Sequence, residues 1–572
     1  MRFFNIYHPF WIYLIYVGVL IIPFIGMFSL FDWDEINFAE SSREMLMSGN
    51  YFQVQINFEP FHEKPPFFFW LQSVSMSIFG VGEFGARFPN AILAVATLVV
   101  LFFVGSRIKD RNFAWIWSSL YIGAFLPNLY FRSGIIDPYF NLFIFLGIYF
   151  LYECFQLQSN KSYKKATYAG LFTGLALITK GPVGLLIIGL VYTIFFLLKW
   201  KFIKWVDFVI FTLVVFVVSL GWYGVEVWTK GIWFLVEFIK YQIELFSQPV
   251  AGHQQSIYYH FIVVFIGCFP FSIYGLRNCF RSSGAYSLDF EKLMRITFWV
   301  VMILFTIVST KIIHYSSMAY FPLSFLAAQE IHRIYSGKKI ELWKNLLIAF
   351  VGFLLPLLLI GLIFIFTYHS AWLSFVIKDV NFLSMLNQNL HFGGWEWVIP
   401  LLMLLATFVL LRMNKIGVIK SLFIFMVLTS STFALLGMFV LPKVDHFVQG
   451  SAISFYQSIS KEKKYVTTVG YKSYAHYFYA EVDMINENDS LFVQKNNILH
   501  EQFQDRSLND LTKKEKNLYN THLLNWFLNG DIDRAVYFVI KKNRPIDQLI
   551  NNENIVKLYS EGNFEFYTRK LN

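Results

Sequence analysis

Residues suited to catalysis stand at the ends of long apolar runs. Asp34 and Glu35 follow Trp33 in F-D-W-D-E, just after the apolar run Phe10 to Leu30. An aspartate held in a partly dry site at the mouth of a membrane helix can take a proton from an acceptor or anchor it, whereas Glu35 suits the cap of the helix that follows. Glu63 and Lys64 stand in F-H-E-K-P-P, where they read first as an ion pair, and Arg87 in F-G-A-R-F-P reads as a phosphate contact or a loop cap. Asp137 precedes Pro138 at the start of another apolar run, an arrangement that also suits a helix start. Lys180 in T-K-G-P and Lys311 in S-T-K-I-I-H-Y lie where paired apolar runs meet. Ionisable groups at such positions are costly and generally serve a function. Phosphate is the natural partner for these lysines, with snorkelling to lipid headgroups as the alternative.

The scaffold for these groups is legible in composition. Of 572 residues, 56% are hydrophobic, 20% aromatic and 15% charged, against about 25% charged in soluble domains. Apolar runs near the length of a spanning helix recur at 10–31, 89–105, 113–130, 138–157, 166–180, 182–198, 205–224, 256–276, 294–309, 312–330, 345–367, 395–411 and 417–441. This gives a polytopic α-helical membrane protein with about 13 transmembrane helices, the first run read as a retained helix and not a cleaved signal. The net charge of +10 resides in short loops, a topology signal that argues against nucleic-acid binding.

Clusters such as Arg107, Lys109 and Arg111, or Arg333, Lys338, Lys339 and Lys344, fall on alternate connections and assign those loops and the N-terminus to the cytoplasm. The loops 32–88, 225–255 and 368–394 and the tail after Pro442 then face outward, so Lys180 and Lys311 run against the positive-inside trend. Glu35 to Ser48, Pro65 to Phe79 and Ile232 to Phe246 are too polar to span and read as interfacial helices that could wall a cavity. The chain divides into a membrane unit, 1–442, and a soluble extracytoplasmic α/β domain, 443–572. In the latter, strands are expected at Lys464 to Tyr471, Ala535 to Lys542, Ile555 to Tyr559 and Phe564 to Lys570, and a helix within Leu508 to Asn529. Cys154, Cys268 and Cys279 show no metal or disulfide spacing.

The order D-E after the first membrane helix, then R-E-M at Arg43 to Met45, then E-K-P-P before an aromatic-rich helix, resembles the PMT/ArnT-type membrane glycosyltransferases of the GT-C class, which include the lipid A aminoarabinose transferases. The resemblance extends to about Lys443. It implies an inverting transferase that moves a sugar from a polyprenyl-phosphate donor to lipid A, another glycolipid or a protein at the periplasmic face of the inner membrane. On that resemblance Asp34 and Asp137 are the catalytic carboxylates, Lys64 contacts the donor phosphate and Tyr315 stands near the donor; Lys180, Lys311 and Arg87 join them as phosphate contacts on their own positions. Glu63 and His253 would hold a divalent metal, zinc being the first choice and His62 a rival ligand. One Glu and one His are too few for a closed zinc site, while an open site completed by substrate oxygens is reasonable. Membrane lipids are the expected surroundings, and a monomer the expected state.

Two departures from the family pattern leave the sugar and acceptor open: Tyr241 to His253 lacks the basic residues expected before the histidine, and the C-terminal region diverges. The main alternative is a polytopic transporter or flippase of a lipid-linked sugar. Such a protein should show internal repeats and interrupted helices at the midplane, whereas here no repeat is visible and the charges gather at one face.

Overall fold

The computed structural model describes the chain apart from residues 1–3, 62, 158–161, 200–202, 248–254, 282–288, 369–393, 507, 509–510, 543–548, 550 and 572. A helix or a pair of helices occupies each apolar stretch singled out above. Among the described residues, five are long and apolar enough to cross a membrane on length and composition: Glu83–Ile108, Asp137–Gln156, Trp205–Lys230, Leu342–Ile365 and Val418–Asp445. Others are broken near prolines. Arg111–Gly123 stops at the extended Ala124 before Phe125–Tyr130, which holds Pro127 in its first turn, and Tyr259–Gly267 gives way to Phe271–Phe280 after Pro270. A proline cannot donate into a preceding helix but suits the first turn of a new one. The count of about thirteen spans therefore rests on hydropathy and charge patterning, not on helix length.

The helix Asp34–Ser48 differs from the surface-lying helix expected of it. Every residue from Glu35 to Met45 is buried, and Gly49, left-handed at φ 68°, ends it by donating to Met45. It packs against Phe67–Phe79 on one side and the short helix Ala475–Tyr479 on the other. Its buried charges are all engaged. Arg43 donates twice to Glu40 and once to the carbonyl of Val482, each at 2.8 Å. The Glu44 carboxylate accepts the N–H groups of Asn57 and Phe58 at 2.6 and 2.8 Å, holding a turn in which both residues have positive φ. Buried polar groups are tolerated when satisfied in this way, and here they fix a helix whose first residues face the cavity described below.

Val418 to Ser458 forms one helical stretch containing two π-helical segments, and it carries the chain from the membrane helices into a four-stranded sheet. The strands Lys464–Val469, Ala535–Lys541, Phe564–Arg569 and Val556–Glu561 lie side by side in that order, the first pair parallel and the others antiparallel. Helices Ser490–Phe503 and Lys513–Asn529 complete an α/β unit, the latter opened by a Thr512–Glu515 capping box. This unit docks on the segment between the first two apolar runs: Tyr479 accepts the Leu30 N–H at 2.8 Å, Lys495 pairs with Glu59 at 3.0 Å, and Trp33 meets Tyr474 edge to face.

Candidate active site

A cavity of about 1030 Å³ opens where the helix Asp34–Ser48, the E-K-P-P segment, the helix ends at Asp137 and Lys180 and the α/β unit converge. Asp34, Glu63, Lys64, Asp137, Lys180, Lys311 and Tyr315 all line it, together with apolar side chains that include Leu186, Ile187, Phe305, Val308 and Met318. A pocket of this size, mostly apolar with a few convergent polar groups, suits a ligand with a lipid part and a charged head.

Lys180 ends its helix and places its ammonium 2.5 Å from Asp137 Oδ1, with Tyr315 and Phe140 facing the same ammonium at 5.3 and 5.7 Å. The chain must turn immediately afterwards. Gly181 has φ +100°, and a Cβ there would come within 2.9 Å of the Phe238 ring, so glycine is required on both counts. Lys311 is buried and donates to the carbonyl of Val308 at 2.8 Å, which leaves two of its three donors for another partner. Lys64 lies 3.8 Å from Glu63, whose Oε2 also accepts the Tyr241 hydroxyl at 2.7 Å. Burial and the neighbouring Glu63 hold the Tyr241 phenol in its neutral, donating form. Asp34 is half-buried, and among the described residues it accepts no hydrogen bond and makes no ion pair.

Arg87 is not a donor contact. It is fully buried and does not line the cavity. All five of its N–H donors are used: two on Glu35, at 2.7 and 2.8 Å, and three on the carbonyls of Ile25, Phe28 and Ser29 at 2.8 Å. A guanidinium has no sixth donor to offer a phosphate. Glu35 also accepts the N–H groups of Phe31 and Gly134, so the pair locks the Asp34 turn to the segment that leads into Asp137. Glu35, expected to cap the helix that follows, instead bonds Phe31 ahead of the helix, Gly134 and Arg87 through its carboxylate.

His253 and His62 lie outside the described residues. Of the expected ligand set Glu63 alone is described, and among the described residues no three His, Cys, Asp or Glu side chains gather around a common point. Sequence reasoning missed Tyr241, Tyr130 and Lys472, which also line the cavity. Tyr130 sits 3.2 Å from His314 Nδ1, and Lys472 comes from the α/β unit. Nothing in their spacing marks them, since each reaches the cavity only through tertiary packing.

The family model for dolichyl-phosphate-mannose-protein mannosyltransferases matches residues 63–222, from Glu63 through Lys180 and beyond. An undecaprenyl phosphate-α-4-amino-4-deoxy-L-arabinose arabinosyl transferase of Shewanella sediminis is 24% identical over 323 residues, 56% of this chain and 58% of that protein. An uncharacterised protein of Aquifex aeolicus is 28% identical over 347 residues, 59% of this chain and 68% of its own. The crystal structure of ArnT from Cupriavidus metallidurans bound to undecaprenyl phosphate superposes with a TM-score of 0.75 at 16% identity, covering 98% of this chain and 97% of that one. The chain is similar to the PMT/ArnT-type GT-C glycosyltransferases. Its fold is that of a multi-pass α-helical GT-C membrane protein, as composition and hydropathy led one to expect. The structural likeness runs through the α/β unit of this chain as well as its membrane helices, although the sequence relatives align over little more than half of the chain.

Proposed function

We propose that this protein is an inverting glycosyltransferase that moves a sugar from a polyprenyl-phosphate carrier to lipid A, another glycolipid or a protein hydroxyl, at the periplasmic face of the inner membrane. The observation that carries the reading is convergence: Asp34, Glu63, Lys64, Asp137, Lys180, Lys311 and Tyr315 line one cavity beside an apolar wall. Leu186, Ile187, Phe305 and Val308 offer the prenyl chain a surface, and Lys64, Lys180 and Lys311 surround the place of its phosphate. In the reaction an acceptor oxygen forms a bond to the anomeric carbon from the side opposite the leaving phosphate. The bond from that carbon to the phosphate oxygen breaks, and its electron pair leaves on the lipid phosphate. The lysines offset the charge that grows there, which is where preorganised cations contribute most. Asp137 holds Lys180 in place, and Tyr315 keeps water from the same ammonium. Asp34, the one cavity carboxylate of these with no partner among the described residues, takes the acceptor's proton when the acceptor is a hydroxyl. A phosphate acceptor is already anionic, and Asp34 then positions it.

The test is direct. Purified protein given undecaprenyl-phosphate-linked radiolabelled sugar and a membrane extract should consume donor with time and release undecaprenyl phosphate as label enters the extract. Movement of intact donor across a vesicle membrane without transfer would overturn the reading in favour of a transporter. Gene deletion followed by mass spectrometry of the lipid A, glycolipid and glycoprotein fractions then names the acceptor by the sugar-sized mass it loses.

A further inference from the structure

The cavity has a fourth lysine, and it is not used by the donor chemistry above. Lys472 lies in the turn between strand Lys464–Val469 and helix Ala475–Tyr479, so it reaches the cavity from the α/β unit and not from the membrane helices. Its ammonium rests 5.0 Å from the Trp33 ring and 5.2 Å from the Tyr474 ring, and those rings meet edge to face at 5.6 Å. Two aromatic faces position a cation without neutralising it. Of the other lysines of the wall, Lys64 and Lys180 face the carboxylates of Glu63 and Asp137, and Lys311 donates once to a carbonyl. Lys472 has no carboxylate within ion-pair distance among the described residues. The nearby carboxylate of Asp32 is itself engaged by Ser473, the Tyr474 backbone and Lys541, an arrangement that pins the turn in place.

Asp34, Lys472 and the Lys180–Asp137 pair line the same cavity, and Lys472 rests on Trp33, the residue next to Asp34. With the donor phosphate on Lys64, Lys180 and Lys311, Lys472 is the cavity lysine left for the other substrate. We propose that Lys472 is an acceptor-binding residue, supplied by the α/β unit, that holds a negatively charged group of the acceptor, a phosphate or a carboxylate, beside Asp34. The inference rests on the transfer reading above and gives the α/β unit a part in choosing the acceptor.

The test uses purified full-length protein in nanodiscs, with undecaprenyl phosphate as the donor-lipid probe and a detergent extract of bacterial outer membranes as the acceptor probe. Acetylation of Lys472 by an amine-reactive reagent is read by mass spectrometry. The extract should protect Lys472, and undecaprenyl phosphate alone should not. Equal labelling with and without extract, or protection by undecaprenyl phosphate alone, overturns the inference. Phosphatase treatment of the extract abolishes protection if the group is a phosphate, and carbodiimide amidation abolishes it if the group is a carboxylate; protection that survives both overturns the anionic acceptor. In the transfer assay Lys472→Gln should raise the half-saturating extract concentration about tenfold, the scale of one charge-assisted hydrogen bond, and Lys472→Arg should restore most of it. An unchanged half-saturation in Lys472→Gln, with transfer intact, overturns this inference alone. Protection by the extract in wild-type protein that transfers no label would leave the Lys472 site standing and overturn the transfer reading instead.

Discussion

The Lys180 ammonium and the Asp137 carboxylate close a 2.5 Å ion pair at the cavity wall, with the side chains 13% and 5% exposed. Each comes from a different helix, Asp137 from the first turn of one and Lys180 from the last turn of the next. A carboxylate committed to a lysine in this way orients that lysine; it is poorly placed to accept a substrate proton at the same time.

Asp137 and Lys180 should accordingly behave as one unit. Asp137→Asn and Lys180→Met are each expected to lower kcat/KM for the lipid-linked donor by about 10²-fold, the scale of a charge-stabilising group. The double variant should lose much less than the product of the two, with an interaction energy of about 1–3 kcal/mol for directly contacting groups. Strictly multiplicative losses would mean that the pair acts independently.

Asp34 carries a different expectation. Asp34→Asn keeps the shape and removes the charge, and turnover on a hydroxyl acceptor should fall about 10²-fold or more. Lys64→Ala should act on the other substrate, weakening undecaprenyl phosphate binding. Near-normal turnover in both variants at matched expression would remove these residues from the mechanism.

Arg87 is expected to matter for folding and not for donor affinity. Removing one member of a buried ion pair strands the other and costs about 3–5 kcal/mol, so Arg87→Ala should express poorly or melt at a clearly lower temperature. The folded fraction of Arg87→Lys should bind undecaprenyl phosphate as the wild type does. A folded variant with a selective loss of donor affinity would return Arg87 to the phosphate site.

Glu63 is assigned to the cavity wall through Tyr241. If Glu63 and His253 share a divalent ion, Glu63→Gln should lower bound metal and donor affinity together, read by elemental analysis beside the wild type; metal retained equally by both proteins would remove Glu63 from the ligand set. A stoichiometric ion present in the wild type and lost on this substitution would make Glu63 a ligand.

Why the sequence led so far, and where it stopped, follows from how each feature is encoded. The strands Ala535–Lys541 and Phe564–Arg569 lie within a residue or so of the runs read as strands, because β-branched and aromatic residues gather there. Lys180 and Lys311 stood out because a lysine between apolar runs on the outer side has few ordinary explanations. Arg87 was misread because the carbonyls of Ile25, Phe28 and Ser29, which use its donors, have no signature in sequence. Lys472 was invisible for a related reason: it lies 438 positions after Asp34 in a region of ordinary polar composition, and only docking of the α/β unit brings it to the cavity.

That docking should respond to acid through His476. The imidazole is buried in the helix that follows the Lys472 turn, packed against Tyr477, and its Nδ1 has no hydrogen-bond partner among the described residues. Burial lowers its pKa from 6.5 to about 3. Between those values the unfolded chain binds a proton that the folded one refuses, so the contribution to stability is fully present above pH 6.5 and is lost as pH falls toward 3. The slope is at most about 1.4 kcal/mol per pH unit from this one group. Thermal unfolding of the full chain from pH 7.5 downward should show it, and His476→Asn, which cannot titrate, should flatten that part of the profile. Since the same helix anchors the turn carrying Lys472 and Tyr474, transfer activity should fall over the same pH range in the wild type and hold further into acid in His476→Asn. An identical pH dependence of the melting temperature in both proteins would show that His476 does not govern the acid sensitivity of the α/β unit.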